Sequence, residues 1–297
     1  MKFGFVAFGG RPNAGKSTLL NRLMGRKLAI VSDKPQTTRT RIVGVRNLPD
    51  GQVVYTDTPG IHRPLHRMNV RMVDAALESM RQADVFGLVA DASASVGRGD
   101  RFLVDLLSDV RQPVFLILNK IDVIAKPSLL PLIDRYRSAY GFAEIVPVSA
   151  LTGDNVDRLE RLILDYLPEG QPMYPADFVT DQPERVLIAE IVREKVLANT
   201  HGELPYASTV IVDLVEEPDE KGIMRVFCSI LVDRESQKPI VVGRAGEMVK
   251  RIGTAARREL EEFFGTRVFL DLRVKVRAEW REDDRMLDEI GVPRREM

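Results

Sequence analysis

The chain is short of the residues that staple a fold, ligate metals or span a bilayer. It holds one cysteine, Cys228, in 297 residues, so no internal disulfide can form. That usage fits a reducing compartment. The setting Val226-Phe227-Cys228-Ser229-Ile230 has no basic neighbour to activate the thiol, so it reads as a packed strand residue. Three histidines, His62, His66 and His201, offer with that cysteine no metal-ligand spacing. No apolar run approaches the ~18 residues of a membrane span. The N-terminal residues run straight into a strand pattern, so no secretory leader is expected and a cytoplasmic location is. Net charge is also lacking, with 43 Lys+Arg against 43 Asp+Glu. Proteins that coat nucleic acid non-specifically are basic, so any nucleic-acid contact here must be local.

What is present is globular: 44% hydrophobic and 29% charged residues. The length suggests about two domains, each with its own core. Charge is split between the halves. Residues 1–170 carry 23 Lys+Arg and 18 Asp+Glu, which is +5; the remainder carries 20 and 25, which is −5.

The strongest signal is Gly10-Arg11-Pro12-Asn13-Ala14-Gly15-Lys16-Ser17, the spacing Gly-x4-Gly-Lys-Ser. An apolar strand pattern, Phe3 to Phe8, precedes it. Helical spacing, Thr18 to Met24, follows it. In that context the loop predicts a polyphosphate cradle built from inward N–H groups and a helix N-terminus. Lys16 would reach the β- and γ-phosphates, and the Ser17 hydroxyl would hold Mg²⁺. A chance strand–turn–helix is the competing reading, and the eight-residue pattern weighs against it.

Next comes Ser32 to Arg41, a polar loop without hydrophobic period. Its hydroxyls could complete a Mg²⁺ shell, Thr38 first and Thr37 second, or it is merely a solvated loop. Ile42–Val45 and Val53–Thr56 flank Pro49-Asp50-Gly51 and read as a hairpin turning at Asp-Gly. The second strand ends in Asp57-Thr58-Pro59-Gly60. An acid at that strand end suits Mg²⁺ held through water, and the Gly60 N–H could sense a γ-phosphate. Ile61 to Met68 reads as a mobile loop, followed by a helix to about Gln82.

Asp84–Ala90 is a buried strand, residues 98–109 are helical, and Val114–Leu118 is another apolar strand ending in Asn119-Lys120-Ile121-Asp122. A carboxylate at Asp122 can accept from guanine N1–H and the 2-amino group. Adenine has neither donor there, so pairing would leave the charge unsatisfied. Asn119 could bond the base edge and tie back to the phosphate loop, and the Lys120 stem could cover the base. Alone, this tetrapeptide could as well cap a helix; at a strand end after the phosphate loop it is specific. After a helix over about 128–140, strand Ile145–Val148 leads into Ser149-Ala150-Leu151, where the Ala150 N–H could bond guanine O6. Asp154 to Leu167 is the last helix of this half. Alternating strands and helices predict an α/β domain with a mainly parallel sheet, its site at the strands' carboxyl ends.

Pro168, Pro172 and Pro175 then break the pattern, and a linker is expected over 168–180. Asp181-Gln182-Pro183-Glu184 reads as a capping box for a helix to about Ala198. Ser208–Glu216, Met224–Val232 and Thr266–Val276 alternate as strands, with acidic Glu216–Glu220 as a turn. Between the last two strands lies Gly243-Arg244-Ala245-Gly246, followed by a helix with Met248, Val249, Ile252, Ala255 and Ala256 on one face. Over 238–258 there are six Lys/Arg, among them Arg244, Lys250 and Arg251, against Glu247 alone, a local +5. A glycine-flanked turn with a basic helix N-terminus can clamp a phosphodiester backbone, although a lone Gly-x-x-Gly is weak and an ordinary basic face competes with it. The tail from Trp280 to Met297 is mostly charged and could pack as a short helix.

The five stations of the first half, in order and spacing, resemble those of the translation-factor-related GTPases. The second half resembles a KH domain of the helix-first type (type II). Together, over nearly the whole chain, they resemble the Era-type GTPases, with a GTPase domain over 1–167 and a KH domain with its tail over 181–297. The resemblance implies that Gly10 to Thr18 hold the phosphates of GTP or GDP, that Ser17, Thr38 and Asp57 serve Mg²⁺, and that Asp57–Gly60 form a switch. It implies further that Asn119, Lys120 and Asp122 select guanine and that Ser149–Leu151 support it. Lys16, Thr38, Gly60 and Asn13 would carry hydrolysis. Where many GTPases place a water-orienting Gln after the switch glycine, this chain has Ile61, so turnover should be slow. In related GTPases an Asn at the Asn13 position helps bind a monovalent cation such as K⁺. For the whole chain the resemblance implies binding near the 3′ end of 16S rRNA, work in 30S subunit assembly, and a peripheral membrane-associated fraction. A monomer is expected. The rival readings are a nucleotide-binding scaffold and another GTP-regulated RNA-processing factor.

Overall fold

The computed structural model describes residues 1–61, 65–292 and 294, with the side chain of residue 109 outside that description. Among them the chain forms two compact units, Met1–Leu65 with Asn69–Asp181, and Gln182–Val292.

In the first unit the order is β1 (Lys2–Gly10), α1 (Lys16–Met24), β2 (Ile42–Leu48), β3 (Gly51–Asp57), α2 (Arg67–Gln82), β4 (Val85–Asp91), α3 (Arg98–Leu106), β5 (Val114–Asn119), α4 (Leu129–Arg137), β6 (Glu144–Pro147) and α5 (Val156–Tyr166). The six strands form one sheet, β2-β3-β1-β4-β5-β6, parallel at every pairing except β2 with β3. Near-continuous apolar strands are what a sheet covered on both faces requires. In β5, Phe115 and Ile117 pack with Leu19, Leu20 and Leu159 on one face, while Leu116 and Leu118 pack with Met80, Leu103 and Tyr136 on the other. Strand order reverses beside β1, and the crevice outside the strands' carboxyl ends opens there.

The hairpin turns one residue earlier than the Asp-Gly pair suggests. Leu48 pairs with Gly51, so Pro49 and Asp50 are the turn. Gly51 is needed because a Cβ there would meet the Lys2 carbonyl oxygen at 2.5 Å. The polar loop is also less solvated than its composition suggests: Thr38, Arg39 and Thr40 are buried. Of the loop read as mobile, His62, Arg63 and Pro64 lie outside the described residues, whereas Ile61 is buried in the apolar cluster under α2 and α3. The Pro-rich segment 168–180 packs on the first unit. The Val45 N–H donates to Val179 O at 2.8 Å, Thr180 Oγ1 donates to Val43 O at 2.6 Å, and Tyr174 stacks on Phe178. β2 is the sheet's edge, and this strap covers it.

The second unit runs α6 (Glu184–Asn199), α7 (Leu204–Ala207), β7 (Ser208–Glu216), β8 (Ile223–Val232), α8 (Lys238–Val242), α9 (Glu247–Phe264), β9 (Arg267–Val276) and α10 (Asp284–Glu289). Its sheet is β7-β8-β9, antiparallel then parallel. Alternate β8 residues Met224, Val226, Cys228, Ile230 and Val232 meet Ile252, Ala256 and Leu260 of α9, spaced by four on one helix face. The expected capping box at α6 does not form. Pro183 occupies the N-cap position, with no side chain to cap the helix. The tail is anchored rather than merely charged: Trp280 is fully buried, its Nε1–H donates to Ala207 O at 3.0 Å, and Asp283 caps α10. The end of that tail, Pro293 and 295–297, lies outside the described residues.

Candidate nucleotide site and nucleic-acid interface

The phosphate loop leaves β1 through Gly10 and enters α1 through Gly15, both at positive φ (152° and 91°). A Cβ on Gly10 would overlap the Val89 carbonyl oxygen, and one on Gly15 would overlap Asn119 Nδ2. Lys16 is buried beneath the loop, and its Nζ donates to Gly10 O (3.2 Å) and Arg11 O (3.1 Å). Burial lowers its pKa, and the Asp57 charge opposes that shift.

Three oxygen ligands from separate elements meet beside it. Ser17 Oγ donates to Asp57 Oδ2 at 2.6 Å, Thr38 Oγ1 reaches the same oxygen at 3.2 Å, and the two hydroxyls are 2.8 Å apart. Burial raises the Asp57 pKa, against Lys16 and the two hydroxyl bonds, and its Oδ1 is buried without a hydrogen-bond partner. An orphaned carboxylate oxygen beside two hydroxyls is the donor set of a hard divalent cation, so these residues fit Mg²⁺. Thr38, not Thr37, joins the cluster; Thr37 Oγ1 donates to Lys34 O.

At the other end of the crevice Asn119 is a brace. Its Nδ2 donates to Ala14 O and its Oδ1 accepts from the Ala150 N–H, both at 2.9 Å. It therefore ties the phosphate loop to the Ser149–Leu151 loop, and a guanine O6 would share the Ala150 donor. Asp122 is exposed, and its Oδ1 accepts from the fully buried Ser149 Oγ at 2.6 Å. Lys120 takes left-handed backbone (φ 69°) and its Nζ donates to Asp91 Oδ2 at 2.6 Å. A cavity of about 240 Å³ lies over the phosphate loop, lined by Asn13, Lys16, Ser17, Thr38 and Gly60 among others, and reaches Lys120 at the other end.

Two further expected participants line the same cavity, each with a contact of its own. Asn13 Nδ2 donates to Asp33 O at 2.7 Å, in the polar loop. Gly60 lies against Pro12, where a Cβ would come within 2.9 Å, and the following Ile61 N–H bonds Gly10 O. Three further residues act through partners distant in sequence. Arg11 pairs with Asp100 at 2.9 Å, and Asp100 also accepts the Gly97 N–H at the start of α3. Arg22 donates to Ala150 O at 3.1 Å and to Leu151 O. Asp91 fixes Lys120; burial alone would raise its pKa, but bonds from Lys120 and Ser93 bring it below the ordinary value. Only Asp91 could have been found from sequence, as an acid at a strand's carboxyl end.

In the second unit Gly243 (φ 76°), Ala245 (φ 50°) and Gly246 (φ 79°) form a tight turn between α8 and α9. A Cβ on Gly243 would come within 2.7 Å of the Met248 backbone nitrogen, while Gly246 has open space and needs only its φ. Arg244, Lys250 and Arg251 are exposed around the turn.

Residues 5–120 match the family described as 50S ribosome-binding GTPase, and residues 203–281 match the KH domain. GTPase Era of Geotalea daltonii is 50% identical over 97% of each chain, and that of Heliobacterium modesticaldum 45% over 98% of this chain and 97% of its own. The chain belongs to the Era family of GTPases. Among solved structures, an Era variant from Aquifex aeolicus bound to GDP·AlF4⁻ matches with a TM-score of 0.94 at 41% identity, over 98% of this chain and 99% of its own. An Era in complex with MgGDPNP and nucleotides 1506–1542 of 16S ribosomal RNA matches at 0.95, with the same identity and coverage. Outside the family, GTP-binding proteins align with TM-scores below 0.5 and cover little more than half of the chain.

Proposed function

We propose that this chain is a GTP-hydrolysing switch that binds 16S rRNA near its 3′ end through its second half and acts in assembly of the 30S subunit. The carrying observation is the Asn119 brace, which sets a guanine-selective carboxylate and a phosphate cradle at fixed separation within one crevice. Residues 1–167 handle nucleotide, 168–180 connect, and 181–297 bind RNA.

Gly10 to Thr18 wrap the phosphates, with Lys16 opposing charge that builds on the β- and γ-oxygens. Asp122 accepts from guanine N1–H and the 2-amino group, and Ser149 fixes its orientation. Ser17, Thr38 and Asp57 would hold Mg²⁺, which when bound would supply charge neutralisation to the phosphates. Thr38 and the Gly60 N–H read the γ-phosphate. Ile61 cannot orient water and is packed in the core, so intrinsic turnover is slow. Asn13 would help hold K⁺, and turnover would then be faster in K⁺ than in Na⁺. Among the described residues no helix is long and apolar enough to cross a membrane. The protein works as a monomer on cytoplasmic 30S particles, and a peripheral membrane fraction is supported by resemblance alone.

The test is RNA binding by Gly243→Asp/Gly246→Asp protein and wild type, on a fragment of the 16S rRNA 3′ end, with GTP analogue and with GDP. Wild type should bind more tightly with the analogue, and the variant with neither. Variant binding equal to wild type would remove the glycine turn from RNA recognition. Equal wild-type affinity in both nucleotide states would remove coupling through RNA affinity.

A further inference from the structure

The phosphate loop is bonded to α3 through the side chain of its second residue. Arg11 runs along the first turn of that helix, where a Cβ on Gly99 would stand 3.2 Å from its Nε. Its Nη1 donates to Asp100 Oδ2 at 2.9 Å, and the same oxygen accepts the Gly97 N–H at 2.9 Å. The Tyr136 hydroxyl of α4 donates to this carboxylate as well; burial, then the Asp100 charge, pushes the phenol pKa up. Donors from the phosphate loop, the start of α3 and α4 thus converge on a carboxylate that is only 10% exposed. The main chain of the same turn carries two further contacts. Arg11 O accepts from Lys16 Nζ at 3.1 Å and from the Ala14 N–H at 3.4 Å. The Ile61 N–H donates to Gly10 O at 3.1 Å, and Gly60 packs on Pro12. The Gly10–Pro12 turn is therefore bonded to α3, to Lys16 and to the segment that follows Asp57.

We infer that Asp100 is a positioning residue for GTP hydrolysis: through Arg11 it fixes the turn from which Lys16 hangs and against which Gly60 is set. The inference rests on the hydrolysis proposed above. An exposed ion pair would do little of this, because solvent screens it and its geometry wanders. Here the acid is buried, and its other two donors hold it in one orientation that the guanidinium passes to the loop. Capping α3 does not account for the arrangement. The Gly97 N–H alone completes that cap, and neither Arg11 nor Tyr136 belongs to the helix. The effect is aimed at one end of the nucleotide. In the proposed function Asp122 meets the base, whereas Lys16 and the Gly60 N–H meet the γ-phosphate, and it is these last two that touch the pegged turn. A turn free to shift would misplace both relative to the reacting phosphoryl group and leave the base end as it is.

The test measures phosphate release, and the affinities of GDP and a non-hydrolysable GTP analogue, for the full chain and its variants. Arg11→Ala should lower kcat about tenfold and weaken the analogue about threefold, with GDP affinity unchanged. Asp100→Asn, which keeps an acceptor for the Gly97 N–H but loses the charge, should do the same. The double variant should be no worse than the worse single, since both remove one contact. Arg11→Lys should recover most of kcat, because a single guanidinium nitrogen makes the contact and an ammonium can replace it. Tyr136→Phe, which removes only a hydroxyl, should lower kcat about twofold with GDP affinity again unchanged. A GDP loss as large as the kcat loss, additive single effects, a Lys variant no better than Ala, or unchanged kcat throughout would overturn the inference. Failure of the hydrolysis reading is separate. Wild type would then release no phosphate, and the ratio of analogue to GDP affinity would still decide the positioning role.

Discussion

Gly15→Ala tests whether the two ends of the crevice are braced as one unit. Gly15 sits at φ 91°, where an L side chain is strained by about 1–2 kcal/mol. The new Cβ would also overlap Asn119 Nδ2, a buried group that must swing away. That movement breaks the bonds to Ala14 O and from the Ala150 N–H, each of about 1 kcal/mol net. The total is about 3–4 kcal/mol. About half is backbone strain and falls on stability. The rest falls on guanine binding, as a loss of roughly 30-fold at 1.4 kcal/mol per decade. Urea unfolding reads the first share and titration with a fluorescent GDP the second. The cycle with Asn119→Ala isolates the cause. In that background the collision has no partner, so the cost of Gly15→Ala should fall by about 2 kcal/mol. An undiminished cost would refute the brace, because strain at Gly15 would then explain everything.

Arg22→Ala removes the donor to Ala150 O and Leu151 O; because the side chain is exposed the loss should be about 1 kcal/mol, seen as a roughly fivefold faster GDP dissociation with little change in melting temperature. Burial, then the charges of Asp213 and Asp271, push the Cys228 thiol up to about 12, so iodoacetamide at pH 8 should leave it unmodified until the protein is unfolded. The raised value means that the folded state keeps its proton longer. The resulting stability is complete below pH ~9 and lost as pH rises toward ~12, and Cys228→Ala should flatten that part of the pH profile. Trp280→Phe leaves the Ala207 carbonyl unpaired and a gap in a filled core, at about 2 kcal/mol by circular dichroism melts of the second unit.

The sheet was legible because each first-unit strand is an apolar run bounded by polar punctuation, a signal that survives local ambiguity. Where the reading slipped, a longer-range contact decided. Asp-Gly looked like the turn, but Gly51 is small for the sake of β1 beside it. Asp181 looked like a cap, but Pro183 already fixes the entry to α6. The polar loop reads either as solvated or as a source of Thr38 for a metal shell; Thr38 is buried because its hydroxyl has a carboxylate to bond, and burial of a satisfied hydroxyl costs little. The charged tail hid Trp280, Met286, Leu287 and Val292, and all four are buried and anchor it.

The same distinction divides the site. The groups proposed to meet phosphate, metal and base stand out in the sequence, because each of those partners demands a residue type at a fixed spacing from a strand end. The residues that hold those groups still do not. Arg11 meets Asp100 after 89 residues, Arg22 meets Ala150 after 128, and Lys120 meets Asp91 after 29. Each pairing spans residues too far apart in sequence to be read locally. Such braces nevertheless set the precision of the crevice, since a loop carrying a reactive group is only as rigid as its bonds to the elements behind it. The arrangement also separates two kinds of sensitivity. On the proposed assignment, loss of Asp122 would delete an interaction with the base itself. Loss of Arg22 or Asp91 deletes none, and acts only by letting the Ala150 loop or the Lys120 stem wander. The former should change which base is chosen; the latter should weaken every guanine nucleotide alike.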